Sequence, residues 1–210
     1  MKKSLIWLLF CAFLFSSCGK EKQYLLIGNY SSHCIQSLLE YAPFHKEFTK
    51  ENVSSSHIYK WIDQNAAYYH EGKKHTILAL LREADVIVLS FGLSDFAPAL
   101  SFQKETNEID FDEEIFASQL EYFDYYLHHI VEEIRSVNAH ANLFLMGTYN
   151  PYPTLPSPEE KLIDSAIYQI NRCFDDIQES KTRFVSTIGL KQMEDVDEQY
   201  AKMIWEYAHG

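Results

Sequence analysis

Three apolar runs that each stop at a glycine constrain this chain more than anything else in it. They are Tyr24-Leu25-Leu26-Ile27 before Gly28, Val86-Ile87-Val88-Leu89-Ser90-Phe91 before Gly92, and Asn142-Leu143-Phe144-Leu145-Met146 before Gly147. A strand with one wet face alternates apolar and polar residues; runs this continuous are covered on both faces, as in a parallel sheet. Arg183 to Thr187, ahead of Gly189, is a fourth such run, and a further strand is placed near Phe48 to Val53.

Helical patterns separate the runs. Phe116, Leu120, Phe123, Leu127, Ile130, Ile134 and Val137 recur every three or four residues, with Glu121, Asp124, Glu132 and Glu133 between them. Ile163, Ile167, Ile170, Phe174 and Ile177 repeat the pattern behind Ser157-Pro158-Glu159-Glu160, where Ser157 is the expected cap, Pro158 fits the first turn and Glu160 completes a capping box. Ile77 to Ala84 makes a shorter helix, and Tyr200, Ile204 and Tyr207 a terminal one. Strands alternating with helices predict a three-layer α/β/α fold around a parallel sheet of about five strands. Ligands of such sheets bind beyond the carboxyl ends of the strands, which is where the three glycines stand.

The opening is of another kind. Met1-Lys2-Lys3 and the apolar stretch Ser4 to Phe15 lead to Ser16-Ser17-Cys18-Gly19, a pattern resembling the lipobox of bacterial lipoproteins, in which the cysteine is acylated, as by palmitate, and becomes the new N-terminus. The organisation expected is therefore a signal peptide over 1–17, a lipid-anchored tether over 18–23 and one domain over 24–210, held outside the bacterial cell membrane by Cys18. An uncleaved N-terminal anchor helix is the alternative. The whole chain carries 18 Lys+Arg against 30 Asp+Glu, a net charge of −12. Removing Lys2 and Lys3 leaves 16 basic against 30 acidic side chains, or −14. Basic residues are scattered rather than gathered on a face, which excludes nucleic acid as a partner. Anionic headgroups repel such a body, so the acyl chains must hold it at the membrane.

The segments around the glycines resemble the SGNH/GDSL hydrolase superfamily, esterases and acylhydrolases of flavodoxin-like fold. Ala84 to Asp95 resembles the strand ending in Gly-x-Asn-Asp, and Gly147-Thr148-Tyr149-Asn150-Pro151 resembles a Gly-x-Tyr-Asn-Pro turn. Tyr24 to Tyr30 stands in the place of the first strand and its Gly-Asp-Ser elbow. The resemblance implies the strand order 2-1-3-4-5, with the first and last helices on one face. Cys34 and Cys173 then lie on opposite faces, and two buried thiols are expected rather than a disulfide.

The resemblance also implies a serine nucleophile, a histidine base, an aspartate that orients it, and oxyanion donors. This sequence departs at every one of those positions. The elbow reads Gly28-Asn29-Tyr30, Ser94 replaces the asparagine, and Asn52 to His57 contains no glycine. Near the C-terminus Lys191 and Glu194 fall where aspartate and histidine belong. The expectation is a pseudo-hydrolase that binds a glycan, acyl or protein ligand in a crevice formed by Gly28, Asn29, Tyr30, Gly92, Ser94, Asp95, Tyr149, Asn150 and Glu194. Two alternatives stay open: an active esterase whose nucleophile has moved to Ser31 or Ser32, with His57 as a distant partner, and a surface scaffold. For Ser31 and Ser32 the competing role is to cap the first helix.

No cofactor is implied, and no metal site is expected. His70 and His75 are five apart and His128 and His129 are neighbours, neither being a ligand spacing. Asp95 with Glu194 is a conceivable acid/base pair. Tyr122, Tyr125 and Tyr126, with Tyr68 and Tyr69, form either an aromatic binding surface or an ordinary cover for the sheet.

Overall fold

The computed structural model describes residues 22–30, 34, 36–38, 46–49, 53–70, 73–103, 106, 108–152, 155–177, 179–187, 190 and 195–209. Among these, five strands form one parallel sheet: β1 (Tyr24–Gly28), β2 (Lys46–Thr49), β5 (Val86–Ser90), β8 (Asn142–Met146) and β9 (Thr182–Val185). Their order is β2-β1-β5-β8-β9, the expected 2-1-3-4-5. Every residue of β1 and of β5 is buried, as continuous apolar runs require. The register sets Leu26 beside Val88 and Val88 beside Phe144, so each layer of side chains runs straight across the sheet.

Period-two alternation sorts the core into two halves. Leu25, Ile27, Ile87, Leu89, Leu143 and Leu145 face one side and pack with buried residues of α1 (Ser55–Asp63), α2 (Ile77–Glu83), α3 (Glu113–Val137) and α4 (Ser157–Asp175). Leu26, Val88, Phe144, Met146 and Val185 face the other, against Cys34, Leu38 and α5 (Val196–His209). Cys34 and Cys173 fall into opposite halves and both are buried thiols, as the topology predicts. No helix among the described residues is long and apolar enough to cross a membrane.

Two local expectations need correction. The second strand runs over Lys46–Thr49 rather than 48–53, because an edge strand is held by its backbone pairing with β1 and needs no apolar run; Val53 has already left it for the core. The cap of α4 is Pro156 rather than Ser157, and it makes no side-chain cap bond. Its extended backbone lets the Pro156 carbonyl accept from the Glu160 amide at 2.9 Å instead. Two antiparallel hairpins, β3–β4 (Ala67–His70 with Lys73–Thr76) and β6–β7 (Leu100–Gln103 with Glu108–Phe111), stand outside the sheet. Tyr68 and Tyr69 therefore belong to a hairpin, in which Tyr68 pairs with His75 and His70 with Lys73.

Candidate functional site

Two glycines let the strand ends close on one another. Gly28 has φ +123°, and a Cβ there would sit 2.0 Å from the Ser90 carbonyl oxygen. That approach lets the Asn29 amide donate to Ser90 O at 2.6 Å, locking the end of β1 to the end of β5. Gly92 has φ +139°, and its Cβ would meet Thr148 Oγ1 at 2.5 Å. L-residues with side chains rarely adopt either conformation, so glycine is required twice over.

These closures shape a cleft of about 290 Å³ at the carboxyl edge of the sheet. Asn29, Tyr30, Ser90, Tyr149, Asp197 and Tyr200 supply its polar walls, with Phe91, Leu93, Thr148 and Pro151 beside them. Tyr30 is 3% exposed, and its hydroxyl donates to the Val88 carbonyl at 3.0 Å. Burial, followed by the neighbouring Tyr200 and Cys34, holds this phenol well above its ordinary pKa. The Tyr200 hydroxyl and Ser90 Oγ share a buried 2.8 Å hydrogen bond, and Ser90 Oγ also donates to Asn29 O at 3.2 Å. Burial, with Asp197 next in weight, pushes both the Tyr149 phenol and the Cys34 thiol up to about 12. At neutral pH every one of these groups keeps its proton, and a protonated phenol or thiol is a poor nucleophile.

The other expected site residues separate by role. Ser94 Oγ accepts from Asn29 Nδ2 at 3.4 Å. Asp95 turns to α1: its carboxylate accepts from the Ser55 amide at 2.9 and 3.1 Å and from the Ser55 hydroxyl. Burial outweighs those bonds and raises its pKa to about 6. Asn150 is 4% exposed and, like Ser94 and Asp95, is not among the residues lining this cleft. Its Nδ2 donates to Asp164 Oδ1 at 3.1 Å and its Oδ1 accepts from the Tyr152 amide at 3.0 Å, so it fixes the turn rather than facing a ligand. Cys18, Ser31, Ser32, Lys191 and Glu194 lie outside the described residues, and the carboxylate pair of Asp95 with Glu194 goes with them.

Sequence reasoning missed four participants. Thr148, Asp197 and Tyr200 line the cleft, and Ser90 is the one hydroxyl in its apolar run, a signal that was available. It also missed that Ser54 Oγ lies 2.6 Å from His57 Nδ1 and 3.0 Å from Ser56 Oγ. Asp95 takes over the helix start, which leaves the Ser54 side chain for the imidazole. His57 is exposed, and neither member of this pair lines the cleft. Among the described residues no group of three His, Cys, Asp or Glu could hold a metal.

Solved structures with this architecture include lipases and esterases. The lipase Lip_vut3 from a goat rumen metagenome superposes with a TM-score of 0.62 over 90% of this chain and 99% of its own, at 16% identity. The fold is SGNH/GDSL hydrolase-like. A putative GDSL-like lipase from Parabacteroides merdae matches with a TM-score of 0.50, 12% identity and coverage of 90% and 96%. A putative platelet activating factor from Streptococcus pneumonia matches with a TM-score of 0.51 and 10% identity over 99% and 100%. No family profile and no curated protein matches the chain. Tyr30 lies two residues past the end of β1, Ser54 opens α1, and Gly92 lies two residues past the end of β5.

Proposed function

We propose that this chain is a lipid-anchored, extracytoplasmic SGNH-like protein that binds a glycan, acyl or protein ligand in its cleft without hydrolysing it. One observation carries the reading. The residue at the elbow is a phenol folded into the core, with its hydroxyl committed to the Val88 carbonyl and its proton held by burial. A nucleophile must be exposed and free to attack, whereas the Tyr30 hydroxyl is buried and bonded to a backbone carbonyl. Anchoring through acylated Cys18 rests on the opening sequence. Binding at the sheet edge rests on the cleft that the two glycines shape.

A second reading rests on the Ser54–His57 contact. It makes the protein an ester hydrolase with Ser54 as nucleophile and His57 as base. Against it, neither residue lines the cleft and His57 is exposed, so the cleft does not shield an acyl group beside it.

Turnover of a panel of short-chain aryl esters by the detergent-purified full chain decides between them. The first reading expects a rate equal to the buffer blank. A rate above the blank that Ser54→Ala abolishes supports the second and ends the first.

A further inference from the structure

The described residues that line the cleft are one-sided in charge. Among the described residues lining it there is no Lys, Arg or His, and the sole carboxylate is Asp197 in the first turn of α5. Its influence reaches two walls, since it is one of the groups keeping Tyr149 and Cys34 protonated. The start of α5 offsets part of this field. A helix N-terminus is equivalent to roughly +0.5 elementary charge, so a full carboxylate beside it still leaves the site negative.

Aromatic faces stand next to that charge. The Tyr149 and Tyr200 rings lie 5.7 Å apart at 56°. Tyr149 is only partly buried, whereas Tyr200 is 5% exposed and bonded to Ser90. Phe91, Leu93 and Pro151 complete an apolar stretch of wall. A carboxylate or phosphate entering here would meet Asp197 with no described lining cation to balance it. An ammonium meets both the carboxylate and the electron-rich face of a phenol ring, each of which attracts it. At about 290 Å³ the cleft admits a small head group with a short stem, free or as the end of one side chain of a protein ligand.

We propose that the cleft takes a primary ammonium group on a short aliphatic stem, the cation lying between the Asp197 carboxylate and the Tyr149 ring. The inference rests on the reading of the cleft as a binding site and adds the class of ligand to it. It distinguishes this cleft from one built to stabilise an oxyanion, which gathers N–H donors rather than a carboxylate.

A charge series of one chain length tests it: n-butylammonium, n-butanol and butyrate, titrated into the detergent-purified full chain carrying 13C-labelled tyrosine. The Tyr149 ring signal, assigned with Tyr149→Phe, is the readout. n-Butylammonium is expected to move it saturably and to bind about tenfold more tightly than either partner. That preference should vanish in Asp197→Asn and persist in Glu198→Gln, which neutralises the exposed neighbouring carboxylate. Butanol or butyrate binding as tightly as the amine, or a preference unchanged in Asp197→Asn, overturns the ammonium inference and leaves the cleft a binding site. If none of the three moves a cleft tyrosine, the inference is overturned and the binding reading loses its support as well.

Discussion

The Tyr30 hydroxyl donates a 3.0 Å hydrogen bond to the carbonyl of Val88, two residues before the end of the neighbouring strand. The ring is thereby packed in the half of the core formed with Cys34, Leu38 and α5. Removing only the hydroxyl, in Tyr30→Phe, is expected to cost about 1 kcal/mol, the net worth of a buried hydrogen bond. Tyr30→Ser puts an alcohol in place of the phenol and leaves a cavity, at a cost of about 3–5 kcal/mol. Urea unfolding reads both, and Tyr30→Ser should gain no esterase activity, because among the described residues no histidine lines the cleft.

Gly28→Ala should be the more damaging of two glycine substitutions. Its Cβ would meet the Ser90 backbone oxygen, whereas that of Gly92→Ala would meet the Thr148 side chain, which can turn away. Both incur the strain of positive φ, about 1–3 kcal/mol. The expected order of thermal midpoints is wild type, then Gly92→Ala, then Gly28→Ala.

Asp95 gives the domain a pH dependence with a definite sign. Its pKa rises from 3.8 to about 6 on folding, so between those values the folded state binds more protons than the unfolded one. Stability from this group is greatest below pH 4 and falls as pH rises through 6, by about 3 kcal/mol at most. Other carboxylates superimpose their own trends, so the measurement is the difference between wild type and Asp95→Asn. That difference should narrow steeply from pH 6 to pH 4 in chemical denaturation; one flat over this range would contradict the burial argument.

Both buried thiols should be inert. With pKa values pushed up to about 12, Cys34 and Cys173 expose very little thiolate at pH 8. Alkylation by iodoacetamide should run about a thousandfold slower than for a free cysteine and recover in denaturant. Peptide mapping by mass spectrometry reads each site separately.

How far these features were legible in the chain differs by their physical origin. β1, β5 and β8 were readable because strands buried on both faces leave unbroken apolar runs, and the two-sided placement of Cys34 and Cys173 followed from handedness. β2 was misplaced because an edge strand is specified by its neighbour's backbone, and Lys46-Glu47-Phe48-Thr49 carries no signal of its own. Of the residues expected to form a crevice, Asn29, Tyr30 and Tyr149 line the cleft, and the turn glycines Gly28 and Gly92 were readable from local pattern. Asp197 and Tyr200 were missed because only the tertiary return of α5 brings them to the cleft, more than a hundred residues after Ser90. Asn150 looked like a ligand contact from its turn sequence, and only the coordinates show that Asp164 on α4 claims it.

If the cleft binds its ligand without hydrolysing it, no serine of the chain is activated for attack. Treating the full chain with a fluorophosphonate serine probe, then locating adducts by peptide mass spectrometry, tests it most directly. No phosphonylated serine is expected. An adduct at Ser31, Ser32 or Ser54 that disappears on replacement of that residue by alanine would contradict it.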